Sequence, residues 1–166
     1  AARRAARMAQ ECGATVSFDP GSFQMIDEMG VDQFLAVTTD LGIDVFLPNK
    51  EEGAVLTGCK EPDDIACELA RIYPGALVVL KLDADGALVW QDGAARHIPP
   101  APGDLVDATG AGDSFAGAFL ARYLRGDSAE SAASFANTVS AWVIGHPGAR
   151  PLPDPRLSAL LAGPSA

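Results

Sequence analysis

The sequence predicts an α/β fold with a mostly parallel sheet, a small antiparallel edge and helices on both faces of the sheet. Helical and strand signals alternate along the chain, which is the order that builds parallel β-α-β units. One strand, residues 76–82 (ALVVLKL), is apolar almost throughout, as is typical of a strand buried on both faces. Two Asp-Gly pairs soon after it favour hairpin turns, and therefore an antiparallel edge.

The elements of the first half are marked by apolar periodicity and by Gly or Pro at their ends. We expect helices at residues 1–12, 22–29, 31–40, 51–56 and 62–72, and strands at residues 14–18 and 43–47. Gly13 and Gly30 end helices, and Pro48 stops the second strand. The chain opens inside a helix with no strand before it, so we expect sheet elements to be missing upstream.

The second half begins with two short strands and then becomes helical. Turns at residues 85–86 and 92–93 lead into strands at residues 87–90 and 95–98, and the Pro-rich residues 99–102 break the pattern. Helices are expected at residues 111–124 and 128–144, the second of them begun by a capping box of Asp127 and Glu130. The tail after Gly145 is Pro-rich and holds one short helix. Together these elements predict a single α/β domain over residues 1–166.

The composition argues against several classes of partner. There are 12 Lys and Arg against 22 Asp and Glu, a net charge of −10, so we expect no nucleic-acid or anionic-membrane partner, because clustered Lys and Arg hold both. No apolar run approaches the ~20 residues that a membrane span needs. The three cysteines are scattered and lack CxxC spacing, which favours reduced thiols and a cytoplasmic location over a zinc site.

The strongest functional signal is the glycine-rich segment at residues 107–117 (DATGAGDSFAG), which precedes a long apolar helix. The small residues Gly110, Ala111 and Gly112 let a ligand approach the backbone closely. Unpaired amides and the helix dipole at such a helix start favour an anion such as phosphate. A carboxylate at Asp113 would repel that anion, which is odd for a site that only binds phosphate. Its position makes sense if it takes a proton from a hydroxyl that attacks phosphorus. The alternative is structural: a tight turn, with Asp113 favouring the helix N-terminus.

Two commoner glycine motifs are excluded by the residues around this segment. The dinucleotide motif GxGxxG would need glycine at position 115, where Phe115 stands, and a strand directly before it. A P-loop would need Gly-Lys-Ser or Gly-Lys-Thr, which the sequence does not contain. The glycine turn is therefore neither of these two phosphate-binding loops.

Residues 107–120 (DATGAGDSFAGAFL) resemble the second signature of the ribokinase-like (PfkB) carbohydrate kinase family. Four further segments follow in that family's order: residues 48–52 resemble its Asn-x-x-Glu motif, 81–86 its nucleotide loop, 136–137 a helix beside the nucleotide, and 146–149 the turn after that helix. The resemblance implies a ribokinase-like three-layer α/β/α fold. Family members run to roughly twice this length, which implies that the N-terminal half, with most sugar-binding residues, is missing here.

The resemblance also implies an activity: ATP-dependent phosphoryl transfer to a hydroxyl of a small-molecule sugar or nucleoside acceptor, with Mg²⁺ and, in many members, a monovalent cation such as K⁺. Asp113 would be the catalytic base, and the 110–113 amides the anion hole. Asn49 and Glu52 would position Mg²⁺ through water, and Asp107 would bind the monovalent cation. The implied nucleotide-binding set is Gly110, Ala111, Gly112, Asn49, Glu52, Lys81, Asp83, Gly86 and Asn137.

Several positions depart from the family pattern. Asp83 stands where glycine is usual, so its carboxylate could crowd or repel the phosphates. Lys81 replaces a frequent Thr and could pair with Asp83. Gly21 and Phe23 replace the Asn and Arg of the family's Asp-Pro-Asn-x-Arg segment. These departures keep open a second interpretation, a non-catalytic nucleotide-binding or interaction module derived from such a kinase.

Single residues also have structural alternatives. Asn49 could be a helix N-cap and Glu52 a partner of the helix dipole. Asn137 lies in an apolar helix, so either a ligand or a neighbouring backbone could satisfy it. Because catalysis needs both reactants held in line, we expect this chain alone to be inactive. A sheet cut upstream exposes an edge, so we also expect the chain to associate, with a homodimer left open.

Overall fold

The structure, a computed structural model, describes residues 2–162, and these form two compact units. The first unit runs to Asp83 and resumes over Ala87–His97. The second contains Ala84–Gly86 and continues from Ile98. Within the described residues, no helix is long and apolar enough to cross a bilayer.

Among the described residues, the first unit holds five α-helices and a mixed sheet, except for Ile98 at the end of the last strand, which belongs to the second unit. The helices are α1 (Ala2–Glu11), α2 (Phe23–Met29), α3 (Val31–Thr38), α4 (Lys50–Thr57) and α5 (Pro62–Ile72). The strands are β1 (Ser17–Phe18), β2 (Val45–Phe46), β3 (Leu77–Lys81), β4 (Ala87–Gln91) and β5 (Ala94–Ile98), in the spatial order β1-β2-β3-β4-β5. The pairs β1–β2 and β2–β3 are parallel and β3–β4 is antiparallel, which confirms the predicted sheet.

The first two strands are shorter than predicted, because a side chain takes over part of the backbone pairing. The Val16 amide donates to the Asp44 carboxylate (2.7 Å), and the Asp44 amide donates to the Val16 carbonyl (2.8 Å). Regular pairing therefore begins only at Ser17 and Val45. The sequence pattern marks the apolar residues but carries no sign of this long-range side-chain contact.

The hairpin predicted at residues 85–86 is present and leads into β4 at Ala87, but its connection is longer than the Asp-Gly pair. Lys81 pairs with Ala87, so residues 82–86 make the connection, with a 3₁₀ turn over Asp83–Asp85. The turn at residues 92–93 joins β4 to β5 as predicted, and both of its residues have positive φ, 53° at Asp92 and 77° at Gly93.

The core of the first unit forms where α4 and α5 pack on β3. Leu69, Val78 and Leu80 are fully buried, and each such side chain contributes about 2 kcal/mol relative to exposure. A β-carbon on Gly53 would lie 2.5 Å from Cγ2 of Ile65, so the glycine lets α4 approach α5 closely. This packing fixes the start of α4, where two predicted site residues lie.

The second unit contains α6 (Ala111–Tyr123), α7 (Ala129–Ile144) and α8 (Pro155–Ala162), and α6 packs along α7. The predicted capping box of Asp127 and Glu130 is wrong. Ser128 is the N-cap of α7 and accepts the Ser131 amide at 3.2 Å, whereas the Asp127 carboxylate binds Arg122 at 2.6 Å. Ser128 has the extended backbone of an N-cap residue, so its hydroxyl caps the helix while the neighbouring Asp127 carboxylate pairs with Arg122.

Candidate active-site residues

The start of α6 depends on a glycine that no other residue could replace without strain. Gly110 has φ +84°, in the left-handed region, and no side chain caps the helix there. A β-carbon on Gly110 would lie 2.8 Å from the carbonyl oxygen of Ala149. The chain can therefore enter α6 in this conformation only because the residue has no side chain.

Three amides at this helix start have no acceptor among the described residues. The Ala111 amide donates to the Ala108 carbonyl (3.2 Å) and the Ser114 amide to the Gly110 carbonyl (2.9 Å). For the amides of Gly110, Gly112 and Asp113, the structure of residues 2–162 gives no acceptor. These unbonded amides could donate hydrogen bonds to an anion, whereas the Ala111 amide is already bonded within the chain.

The Asp113 carboxylate lies in the same turn and is exposed. It makes no hydrogen bond or ion pair with any other residue in the described part of the chain. It is therefore not a helix cap, and its oxygens are free to accept a proton or a hydrogen bond. The structural alternative, a tight glycine turn with Asp113 favouring the helix N-terminus, fits the same geometry, because Asp113 lies in the first turn of α6.

Asp107 joins the glycine turn to the chain after α7. Its Oδ1 accepts the Thr109 amide (2.9 Å) and its Oδ2 accepts the Gly148 amide (2.8 Å). The Thr109 side chain, and then the amides of Thr109 and Gly148, hold the pKa of this carboxyl below its usual value. Both oxygens thus accept backbone hydrogen bonds, and Asp107 links the glycine turn to the turn at Gly148, a connection called here the Asp107 clasp.

Ser140 is a contact that the sequence interpretation missed. Its hydroxyl on α7 donates to the Ala111 carbonyl (3.1 Å), which also accepts the Ser114 hydroxyl (2.9 Å). These bonds hold the first turn of α6 against α7. In the sequence, Ser140 is marked only as a polar residue in an apolar helix, and this pattern does not show that its hydroxyl binds the Ala111 carbonyl.

Asn137 and Gly86 both hold the Pro-rich segment that follows β5. The buried Asn137 amide group donates to the Pro99 carbonyl (2.8 Å), so its partner is a neighbouring backbone. Gly86 has φ +88°, and a β-carbon there would lie 2.2 Å from the Ile98 carbonyl oxygen. Both residues fix the backbone by which the chain leaves the sheet.

In the first unit, Asn49 and Glu52 cap each other at the start of α4. Asn49 Oδ1 accepts the Glu52 amide and Glu52 Oε2 accepts the Asn49 amide, both at 2.8 Å. Glu52 is only 1% exposed. Burial raises the pKa of this carboxyl, opposed by the Asn49 amide and by the charge of Lys81. The structural alternative for Asn49, an N-cap, is therefore confirmed.

Lys81 pairs with Asp19, whereas the sequence had suggested Asp83 as its partner. Its Nζ lies 2.5 Å from Asp19 Oδ2. Asp83 is exposed and has φ 52°, a conformation that favours glycine. The family's usual glycine at this position thus has a physical reason, and here an aspartate occupies it at some cost in strain. Asp19 itself was not singled out from the sequence.

Comparisons with solved structures define the class of the fold. The chain superposes on adenosine kinase from Sinorhizobium meliloti with a TM-score of 0.85 and 27% identity, over 97% of this chain and 49% of that one. It superposes on fructokinase from Vibrio cholerae, solved with fructose, ADP and calcium ion, with a TM-score of 0.76 and 27% identity, over 88% of this chain and 49% of that one. The fold is therefore ribokinase-like, as predicted.

The family follows from the sequence comparisons. The model of the pfkB family carbohydrate kinases matches residues 23–155, and the chain belongs to this family. It is also 34% identical to the ATP-dependent ribose-1-phosphate kinase of Halopiger xanaduensis over 148 residues, which are 89% of this chain and 46% of that relative. The chain thus spans about half the length of the curated relative it matches.

Proposed function

We propose that this chain carries the nucleotide-binding residues and the catalytic base of an ATP-dependent carbohydrate kinase, whose acceptor is a hydroxyl of a sugar or nucleoside. Family membership supports sugar phosphorylation in general, and the names of the relatives include kinases of both acceptor types. The observation that carries the proposal is the start of α6, where the exposed Asp113 carboxylate lies in the same turn as the free amides of Gly112 and Asp113.

The chemistry that suits this turn is in-line phosphoryl transfer. The acceptor oxygen forms a bond to the γ-phosphorus of ATP, the bond from that phosphorus to ADP breaks, and the hydroxyl proton passes to Asp113. The amides of Gly112 and Asp113 donate to the phosphoryl oxygens and stabilise the charge that develops on them. A base in this position accelerates transfer by about 10²–10⁴-fold.

The family resemblance implies two ions, Mg²⁺ and a monovalent cation, and the residues of this chain suit them to different degrees. Mg²⁺ usually keeps several waters and needs only one or two carboxylates beside the substrate phosphates. Asn49 and Glu52 fit that role only through water, because Glu52 is almost wholly buried and one of its oxygens holds the Asn49 amide. Within residues 2–162, no cluster of three or more His, Cys, Asp or Glu could hold a metal ion by itself.

A monovalent cation at Asp107 would have to share the two carboxylate oxygens with backbone amides. Both carboxylate oxygens already accept backbone amides, at 2.9 and 2.8 Å. The K⁺ role of Asp107 stays a prediction from the resemblance, and no step of the proposed reaction passes through it.

The decisive experiment replaces Asp113 by Asn in the full-length protein and measures acceptor-dependent ATP consumption with a panel of sugars and nucleosides. Asn keeps the size of the side chain but cannot take the proton, so turnover should fall by about 10²–10⁴-fold while ATP still binds. Asp104→Asn, an exposed carboxylate in the loop before α6, is the matched control and should keep wild-type turnover. Equal turnover in the wild type and Asp113→Asn removes the base assignment.

A second candidate function, a non-catalytic nucleotide-binding module, is favoured by one observation. Asp83 places an exposed carboxylate in a left-handed turn where the family resemblance expects glycine. Calorimetry with Mg²⁺ and ATP separates the two functions. Binding without turnover, for every acceptor tested on the full-length protein, would favour the module.

A further inference from the structure

The ion pair between Lys81 and Asp19 is largely shielded from water. The exposed side-chain fractions are 12% for Lys81 and 29% for Asp19. Surface pairs contribute little because water screens them, whereas a pair that is largely shielded holds its two chains in a defined geometry. This pair therefore has the burial that a positioning role requires.

The backbone of Lys81 is tied to the chain that leads into α4. Its amide donates to the Pro48 carbonyl (2.9 Å), and an isolated parallel β-bridge joins Lys81 to Asn49. The end of β3 is thus fixed directly against Pro48 and against Asn49, the residue that begins the capping box. A displacement of the Lys81 backbone would therefore also displace Asn49, because these bonds connect the two segments.

The side chain of Lys81 reaches the other side of β2. In the sheet order β1-β2-β3, the strands β1 and β3 flank β2 and lie roughly 10 Å apart. Asp19 directly follows β1, so the lysine side chain spans the place where the chain leaves β2 for α4. At its far end, Asp19 Oδ1 also accepts the Gly21 amide (3.1 Å), which makes the 19–21 turn part of the same connection.

We infer that Lys81 is a positioning residue: with Asp19 it fixes the chain ends after β1, β2 and β3 and so holds the Asn49–Glu52 capping box in place. It acts through Asp19 and not by contact with phosphate. Residues 19–23 contain no cation of their own, so the charge that holds Asp19 comes from β3. This inference rests on the proposed function, since it concerns the residues proposed to position Mg²⁺ and ATP.

Hydrogen exchange of backbone amides tests the inference without any ligand. In Lys81→Met and in Asp19→Asn, the amides of Asn49 and Glu52 should exchange about 10-fold faster, because both lose the pair that holds the box. Asp19→Asn keeps an oxygen for the Gly21 amide and removes only the charge. The double variant should exchange no faster than either single variant, since the pair acts as one unit.

Two control variants accompany this measurement. Lys81→Arg keeps the charge and should restore exchange to within about 2-fold of the wild type. Lys60→Met removes an exposed lysine of the same unit and should leave both amides unchanged. The buried β3 amides of Val78 and Leu80 report global unfolding and should keep wild-type rates in all variants. Unchanged exchange at Asn49 and Glu52 in Lys81→Met, or additive effects in the double variant, would overturn the inference.

Calorimetry with Mg²⁺ and ATP then separates positioning from direct contact. Lys81→Met and Asp19→Asn should weaken binding by a similar factor. If Asp19→Asn binds as well as or better than the wild type while Lys81→Met binds more weakly, Lys81 contacts the phosphates directly and the inference is wrong. If the wild type itself binds no ATP, the proposed function fails, and the exchange rates still decide the positioning role.

Discussion

The carbonyl oxygen of Ala149 lies 2.8 Å from the point where a β-carbon on Gly110 would stand. The turn after α7 is thus in contact with the turn before α6, and the Asp107 clasp to Gly148 holds the same two segments together. A bulkier residue at position 110 would push the two turns apart and disturb the start of α6, where the free amides lie.

Gly110→Ala should destabilise the protein by about 2–4 kcal/mol, because alanine is strained at positive φ and its β-carbon meets backbone atoms. Urea unfolding measures the change. Gly117→Ala is the matched control in the same helix, where a β-carbon would meet nothing within 4 Å. That substitution should stabilise by about 0.5–1 kcal/mol through better helix propensity. Equal effects at the two positions would contradict the packing argument.

Asp83→Gly should improve both stability and nucleotide binding. Glycine relieves the positive φ of 52°, which is worth about 0.5–1 kcal/mol, and it removes a carboxylate that would repel phosphates. Asp92→Gly is the control, because Asp92 has a φ of 53° in the β4–β5 turn. Both variants should unfold at higher urea, but only Asp83→Gly should bind Mg²⁺ and ATP more tightly in calorimetry. Unchanged binding would show that the Asp83 carboxylate does not face the phosphates.

Asn137→Ala should cost about 1–3 kcal/mol of stability, because it leaves the Pro99 carbonyl without its buried donor. The geometry assigns this residue to the support of the Pro-rich segment. We therefore expect the affinity for ATP, measured well below the melting temperature, to change by less than ~3-fold, under 1 kcal/mol. A large loss of affinity for ATP with an unchanged free energy of unfolding would show that Asn137 contacts the ligand.

The sequence predicted the elements better than it predicted their partners. Helix α5 falls on its predicted bounds because Pro62 and the Pro74-Gly75 pair mark both ends locally. The Lys81–Asp19 pair could not be foreseen, since its residues are 62 positions apart and any of several carboxylates suited the lysine. The burial of Glu52 could not be predicted from the sequence either, because a glutamate in the first turn of a helix is usually exposed.

The stability of the protein should fall above pH 10 in a way that depends on Tyr73. Burial raises the pKa of this phenol, whose hydroxyl lies 2.8 Å from Thr38 Oγ1. The unfolded tyrosine ionises near pH 10, whereas the folded one keeps its proton to higher pH. Above about pH 10 the unfolded state therefore binds fewer protons, and stability falls by up to ~1.4 kcal/mol per pH unit.

Tyr73→Phe checks this assignment by urea unfolding at pH 7, 9.5 and 11. The variant should lose about 1 kcal/mol at pH 7, from the missing hydrogen bond, and should show a shallower decline above pH 10. If the wild type and the variant decline in parallel, Tyr73 is not the group responsible.

The amides of Gly112 and Asp113 provide the most direct test of the proposed site, by nuclear magnetic resonance of the ¹⁵N-labelled chain with Mg²⁺ and ATP. If these two amides hold phosphate oxygens, their proton resonances should move downfield and saturate with ATP, while the amide of Gly117, later in the same helix, should move little. Asp113→Asn should preserve the response of the Gly112 amide. Saturable shifts elsewhere with none at Gly112 and Asp113 would contradict the account.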